Sequence, residues 1–196
     1  PRDSIRRQRQ MCIRDSRITV PDHPLLREIN TRFDVPHSRF NAITPAQFAA
    51  AGLTVLVQSD ASDVHLAVSP DQFRIVYFQG HPEYGAVSLL KEFKREYNRY
   101  LAGARHKLPR MPENFFTPEG EEIAQALIDQ LLRDGAESAP DFPEDVLLPY
   151  CDNTWGDTGK AIVNNWLGLV YQLTNLDRKK QFMPGVDPDD PLQLRQ

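Results

Sequence analysis

A histidine and a glutamate two residues apart, His81 and Glu83 in the stretch GHPEY, have types and spacing that could do acid–base chemistry. Histidine is the side chain best matched to proton transfer near neutral pH, and a carboxylate on one ring nitrogen fixes its tautomer. In extended backbone, positions i and i+2 face the same way, and Pro82 limits the freedom between them. The spacing predicts either a general base with its orienting acid or a histidine with a structural partner.

A catalytic pair of this kind needs a nucleophile, and the candidates in this sequence are poor. Cys151 lies in an irregular stretch, which is typical of a structural thiol, and Cys12 lies in an anomalous N-terminal segment. Ser38 lies between His37 and Arg39 without a G-x-S-x-G elbow, so we expect it to orient or stabilise a ligand. The two cysteines lack the spacing of metal ligands. The sequence therefore predicts neither a nucleophile nor a metal site.

Three β-rich runs precede the histidine and an amphipathic helix follows it. The runs LTVLVQS, VHLAVS and FRIVYFQG predict three strands, the first two in a hairpin. Apolar residues at spacings of three and four predict a helix from Leu89 to about Gly103. His81 and Glu83 thus lie after the last strand, at the edge where open α/β sheets place catalytic groups.

The other predicted elements are helices, the first of which has clear start and stop signals. Thr44 and Pro45 begin a short helix that ends at Gly52. A longer helix follows Thr117, and another is expected from Thr158 to about Leu173. The stretch before Ser38 is predicted as proline-rich loop with a short helical turn. We expect one α/β domain with a helical C-terminal region over residues 18–183, and an extended tail over 184–196.

Residues 1–17 differ in character from the rest of the chain. They hold six arginines, against a net charge of −4 for the whole sequence, and they include the string RQMCIRDS. This string resembles a translated sequencing-adapter remnant, so the segment is predicted to be non-native or disordered. It lacks the aromatic residues and amphipathic period of a nucleic-acid or membrane patch. With no apolar segment of membrane-spanning length and no secretory signal, we expect a cytoplasmic protein without nucleic-acid or membrane partners.

Several separate motifs in one order carry a family resemblance. The chain has FDVPHSRF, then GHPEY, LLKEFKREY and PENFF, and more loosely NNWLGLVYQLT. This order resembles the C-terminal half of the bacterial homoserine O-acyltransferases of methionine biosynthesis. These comprise the homoserine O-succinyltransferases and O-acetyltransferases, which are related in fold to class I glutamine amidotransferases. Residues 117–157 depart from the family pattern.

The resemblance implies a role for each matching residue. His81 would be the general base and Glu83 its orienting acid, while Ser38 would line the substrate site. Arg95 would bind the carboxylate of homoserine, which suits a guanidinium fork, although a solvated helix charge is the alternative. Arg39 is a possible further neighbour of the substrate. No bound cofactor is implied; acyl-CoA, from succinyl- or acetyl-CoA, would be the co-substrate of L-homoserine.

In the family, an upstream cysteine takes the acyl group as a thioester, and no residue here matches it. The resemblance therefore implies a fragment, truncated at its N-terminus, of a flavodoxin-like three-layer sandwich with added C-terminal helices. The isolated chain is expected to be inactive, and the full-length protein to be a homodimer. An amidotransferase-type hydrolase, a serine O-acyltransferase and a non-catalytic binding module of the same fold remain alternatives.

Overall fold

A computed structural model of the chain describes residues 9–60 and 64–195. The strands are β1 (Gln10–Ile18), β2 (Arg32–Arg39), β3 (Thr54–Ser59), β4 (Val64–Val68) and β5 (Val76–Phe78). The α-helices are α1 (Pro45–Ala50), α2 (Ser88–Leu101), α3 (Pro118–Asp134), α4 (Glu144–Leu147) and α5 (Gly156–Leu173). Short 3₁₀ helices lie at Pro24–Leu26, Ala136–Ser138 and Leu148–Tyr150. The three predicted strands and the four predicted helices are present.

The five strands form one sheet in the order β2-β1-β3-β4-β5. β3 pairs antiparallel with both β1 and β4, and β4 pairs antiparallel with β5, with Ala67 opposite Val55 and Tyr77. The short connection between β3 and β4 allows only the antiparallel arrangement, since a parallel pair needs a long crossover. The chain is therefore mixed α/β, as predicted, but the antiparallel pairs do not confirm a flavodoxin-like sandwich.

The chain divides into two compact units, which are described separately. The Ser38 unit comprises the described part of residues 1–14 with residues 36–41 and 84–154. The His81 unit comprises the described residues of 15–35, 42–83 and 155–196. The prediction of one domain over 18–183 did not anticipate this division.

A cluster of buried side chains from the 3₁₀ helix Pro24–Leu26, β2, β3, β4 and α5 forms the main core of the His81 unit. Its members are Leu25, Leu26, Phe33, Val35, Leu56, Val57, Leu66, Val68 and Ile162. A smaller cluster joins Phe48 of α1 to Val64 and Ala67 of β4. α1 forms as its sequence predicts, because Thr44 and Gln47 complete a reciprocal capping box.

Helix α2 supplies the core of the Ser38 unit. Leu89, Leu90, Phe93 and Tyr97 are fully buried on one of its faces. The ring of Phe142 meets those of Phe93 and Tyr97 edge-on, with centroids 5.3 and 5.5 Å apart. Leu147 of α4 and Leu131 of α3 are buried in the same unit. The apolar spacing that predicted α2 therefore corresponds to its buried face.

The N-terminal segment is the main correction to the predicted elements. Residues 10–17 lie in β1, where Met11, Cys12 and Ile13 are buried, so the prediction of disorder is wrong for them. Residues 1–8 of the predicted tail lie outside the described residues, and a non-native origin of the segment stays a prediction. β2 was also missed, because Pro36 and the polar residues His37 and Ser38 interrupt its β pattern.

The predicted extended tail is instead a series of turns. Residues 184–195 contain neither helix nor strand. Arg74 Nη2 donates to the carbonyl oxygen of Pro188 at 2.5 Å, and Arg195 Nη2 donates to that of Pro70 at 3.3 Å. These two hydrogen bonds hold the segment against residues 70–74 of the same unit.

The described part of the chain contains neither a membrane-spanning helix nor a cluster of metal-binding side chains. None of its helices combines the length and the apolar character needed to cross a membrane. Within residues 9–60 and 64–195, no three histidine, cysteine, aspartate or glutamate side chains are grouped to hold a metal ion.

Candidate functional site

The turn that carries His81 is held at its start by Gln79. The Gln79 backbone N–H donates to the carbonyl oxygen of His65 in β4 at 2.8 Å. Its side-chain Nε2 donates to the carbonyl oxygens of Val64 at 2.9 Å and Ile43 at 3.1 Å. Both the backbone and the side chain of Gln79 thus fix the end of β5 before the turn begins.

His81 and Glu83 contact each other directly. His81 Nδ1 lies 2.8 Å from Glu83 Oε1, and the two side chains are 30% and 65% exposed. A carboxylate can only accept, so Nδ1 carries the proton and Nε2 is the basic nitrogen of the neutral ring. The contact predicted from the spacing is present, and a catalytic role for the pair stays a prediction.

A second histidine in the same unit has a different environment. His65 of β4 is completely buried, and its ring lies 6.2 Å from that of Phe33 and 5.7 Å from that of Phe78. Burial, together with the charge of His81, lowers the pKa of His65 to about 3. His65 is therefore neutral at physiological pH and acts as part of the core.

Ser38 contacts a buried carboxylate in the Ser38 unit. It lies near the end of β2, is 7% exposed, and its hydroxyl donates to Glu92 Oε2 of α2. Arg9 Nη1 donates to Ser38 Oγ at 3.0 Å and to Glu92 Oε1 at 2.8 Å. The predicted substrate-lining serine therefore lies within an ionic hydrogen-bond network.

Glu92 also contacts Arg95 and Tyr84. Arg95 Nη2 donates to Glu92 Oε1 at 3.1 Å, and the Tyr84 hydroxyl donates to the same oxygen at 3.2 Å. Burial, together with the negative charge of Glu92, raises the pKa of Tyr84 and keeps its phenol protonated. Two of the predicted substrate-binding residues, Ser38 and Arg95, are thus brought together by Glu92.

Arg95 is held between two carboxylates and remains accessible. Its Nε lies 3.6 Å from Glu96 Oε1, and its side chain is 47% exposed. Glu96 is 1% exposed and is also contacted by Arg99 and Arg105. A guanidinium oriented on one side by Glu92 and Glu96 can present its other edge to a carboxylate ligand.

Arg39 is largely buried and contacts a buried histidine. It is 9% exposed, and its Nη1 lies 2.7 Å from Nδ1 of the fully buried His37. This contact anchors Arg39 within the Ser38 unit. A role towards the substrate stays a prediction.

The sequence reasoning missed Glu92, although a signal was present. Glu92 and Glu96 alternate with Phe93 and Tyr97 along the buried face of α2. Carboxylates on an apolar helix face are seldom left without partners, because burying an isolated charge is costly. That position distinguished Glu92 from the exposed charges of the same helix.

Neither cysteine has the environment of an activated nucleophile. Cys12 is completely buried in β1. Cys151 Sγ lies 3.5 Å from the carbonyl oxygen of Leu147. Burial, together with the charge of Asp152, raises the pKa of Cys151 to about 11, so the unreactive thiol dominates at neutral pH.

Comparison with known proteins identifies the family. The sequence model described as homoserine O-succinyltransferase matches residues 4–176. Proteins named homoserine O-succinyltransferase from Nitrosococcus oceani, Thiothrix nivea and Methylococcus capsulatus are 53%, 52% and 54% identical to the chain. Each alignment covers 91% of this chain, and respectively 51%, 50% and 51% of the relative. The chain thus spans about half the length of the curated relatives it matches.

The match includes all the motifs that suggested the homoserine O-acyltransferases, and it favours the succinyl-transferring branch. The family model also extends through β1 and the whole of α5. On this match and on these identities, the chain belongs to the homoserine O-succinyltransferase family.

Proposed function

We propose that this chain is the part of a homoserine O-succinyltransferase that supplies the proton-transferring pair and the acceptor-binding residues. The observation that carries the proposal is the 2.8 Å contact between His81 Nδ1 and Glu83 Oε1 in a chain of this family. The relatives are named for succinyl transfer, so we take succinyl-CoA as the donor and L-homoserine as the acceptor.

The proposed chemistry transfers an acyl group from a cysteine thioester to the hydroxyl of homoserine. As the hydroxyl oxygen attacks the carbonyl carbon, His81 Nε2 takes the hydroxyl proton and Glu83 stabilises the resulting imidazolium. The carbon–sulfur bond then breaks, the ester is released, and the departing sulfur recovers the proton from His81. Each residue thereby returns to its starting state.

The network around Glu92 is proposed to bind the acceptor. Arg95 would pair with the carboxylate of homoserine, because its guanidinium is oriented by Glu92 and stays half exposed. The hydroxyl of Ser38, fixed by the other oxygen of Glu92, would line the same site. Glu92 would then act by holding both residues in place.

The acyl-carrying cysteine is proposed to lie outside these 196 residues. Cys12 is buried, and the raised pKa of Cys151 disfavours the thiolate that such a step requires. We therefore expect the isolated chain to be inactive. A flavodoxin-like core related to class I amidotransferases and a homodimeric assembly are proposed for the whole protein on the family resemblance alone.

A chimera tests the proposal. In it, the aligned segment of this chain, 91% of its length, replaces its counterpart in the Nitrosococcus oceani relative. The chimera is expected to release CoA from succinyl-CoA in the presence of L-homoserine, whereas the 196-residue chain alone is not. His81→Asn should abolish turnover, and Cys151→Ser, as the matched control, should preserve it.

The same assay separates the alternatives. A folded chimera that hydrolyses glutamine and does not succinylate homoserine would favour an amidotransferase-type hydrolase. Preference for serine over homoserine would identify a serine acyltransferase. Full turnover by the His81→Asn chimera would refute the proposed base and leave a binding role for this half of the protein.

A further inference from the structure

A glycine of α5 lies directly against the turn that carries the His81–Glu83 pair. Gly159 is buried in the first turns of α5, within the same unit as His81. A Cβ atom added at Gly159 would lie 2.7 Å from the carbonyl oxygen of Pro82 and 3.2 Å from its Cβ. The absence of a side chain at position 159 thus allows the helix backbone to contact the residue between His81 and Glu83.

The contact cannot be relieved by a flexible side chain. The nearest atoms belong to the peptide group and ring base of Pro82, and the carbonyl carbon lies 3.3 Å from the added Cβ. Glycine is also less favourable than alanine inside a helix, so its presence requires a local reason. The close approach of Pro82 supplies that reason.

Both sides of the contact are anchored. Asn165 Nδ2 of α5 donates to the carbonyl oxygens of Leu25 at 3.1 Å and Arg27 at 2.9 Å. Ile162, one turn after Gly159, is 1% exposed and belongs to the main core of the His81 unit. Gln79 holds the other end of the turn against β4. Asn165 and Ile162 hold the helix, whereas Gln79 holds the turn three residues before Pro82, so a bulkier residue at position 159 would displace Pro82 more readily than the helix.

We propose that Gly159 is a positioning residue for the His81–Glu83 pair. Because Gly159 allows α5 to pack directly against Pro82, it fixes the backbone between the two side chains. It thereby keeps Nδ1 of His81 hydrogen-bonded to Glu83. The inference rests on the proposed function for its catalytic meaning. The positioning itself concerns only residues of the His81 unit.

The experiment uses the 196-residue chain with ¹⁵N-labelled histidine. The imidazole ¹⁵N signals of His81 report which ring nitrogen carries the proton. We expect Gly159→Ala to shift these signals towards those of Glu83→Gln, in which the ionic acceptor is lost. Gly168→Ala is the matched control, because Gly168 lies in the same helix with no atom within 4 Å of an added Cβ. It should leave the His81 signals unchanged.

A second variant addresses folding and mechanism. Pro82→Gly removes the ring contact and the restriction that the ring places on the backbone, and should shift the same signals. If Gly159→Ala does not fold while Gly168→Ala does, the glycine serves the fold as a whole and the proposal is overturned. Where all variants fold, a double-mutant cycle should show that Gly159→Ala has less effect in the Pro82→Gly background. Unchanged His81 signals in folded Gly159→Ala, unchanged signals in Pro82→Gly, or strictly additive effects would each overturn the proposal.

Kinetics of the chimera connect positioning to the proposed function. Gly159→Ala should lower kcat at least tenfold with little change in the KM for homoserine, whereas Gly168→Ala should leave both unchanged. Unchanged kcat despite shifted His81 signals would overturn the catalytic part of the inference. A chimera that is inactive in every form, with the ring signals responding as expected, would contradict the proposed function and leave the positioning intact.

Discussion

The hydroxyl of Ser38 donates to the carboxylate of Glu92, 54 positions further along the chain, in a buried environment. The other oxygen of Glu92 accepts from Arg9, Tyr84 and Arg95. One carboxylate therefore holds both a strand residue and a helix residue of the candidate acceptor site. Such a charge is costly to remove, because its cationic partners would lose their counterion.

Replacing Glu92 by glutamine should destabilise the chain. The amide keeps the shape of the side chain but loses the charge that Arg9 and Arg95 contact, so we expect the free energy of unfolding to fall by about 1.5–3 kcal/mol. Urea titration of the 196-residue chain measures it. Glu122→Gln, on the exposed face of α3, is the matched control and should change stability by less than about 0.5 kcal/mol. Equal effects of the two substitutions would refute a central role for Glu92.

Replacing Arg95 by lysine should weaken homoserine binding in the chimera. Lysine keeps the charge but loses the planar fork that matches a carboxylate, so the KM for homoserine should rise about tenfold or more. The KM for succinyl-CoA should stay the same. Arg99→Lys is the control, since Arg99 is similarly exposed and contacts Glu96 at 3.7 Å. An equal rise in KM for both variants would point to a general charge effect.

Replacing Glu83 by glutamine should lower kcat in the chimera. Glutamine can still accept a hydrogen bond from His81 Nδ1, but it cannot stabilise the imidazolium by charge, so we expect a loss of about 10²-fold or more. The KM for homoserine should change little, because Glu83 contacts the base. Normal turnover by this variant would show that the His81–Glu83 contact is structural.

His65 should make the stability of the chain sensitive to acid. Its pKa is about 3 when folded, below the ordinary value of 6.5, so the unfolded chain binds the additional proton. The stabilisation from neutral His65 is complete above pH 6.5 and is lost progressively as the pH falls towards 3. Between pH 7.5 and 5 this loss is about 2 kcal/mol.

The variant His65→Phe isolates this contribution, since phenylalanine keeps an aromatic ring beside Phe33 and Phe78. Urea titrations at pH 7.5 and 5 should show a smaller pH dependence than in the unsubstituted chain, by about 2 kcal/mol. His106→Asn, at an exposed position, should leave the dependence unchanged. An undiminished pH dependence in His65→Phe would contradict the assignment. Buried His23, whose pKa burial lowers to about 4, should account for part of the remaining dependence.

Cys151 should react slowly with alkylating reagents. With its pKa raised to about 11, almost no thiolate is present at pH 7.5. Iodoacetamide modification of the folded chain, followed by mass spectrometry, should be much slower than that of a small free thiol. Unfolding in urea should restore the ordinary rate. Rapid alkylation of folded Cys151 would reopen it as a candidate nucleophile.

The sequence predicted those structural features that depend on residues close together in the chain. The contact between His81 and Glu83 spans two residues, and the start of α1 depends on the adjacent Thr44 and Pro45, so local sequence predicted both. Apolar periodicity likewise predicted α2 and its buried face. The role of Glu92 was not readable in this way, since its partners Arg9 and Ser38 come from distant parts of the chain. The antiparallel sheet and the strand β1 also depend on pairings between distant segments.

The side-chain amide of Gln79 has a consequence for association between molecules. β5 is the last strand of the sheet and only three residues long. Directly after it, Gln79 Oε1 accepts from the backbone N–H of Ile43 at 2.5 Å, and Nε2 donates to the carbonyl oxygen of the same residue. The side chain of Gln79 thereby pairs with both backbone groups of Ile43, directly after the strand ends. A short edge strand that ends in such a pairing has few backbone groups free to pair with a strand from another molecule. This edge of the sheet is therefore protected against aggregation through strand pairing.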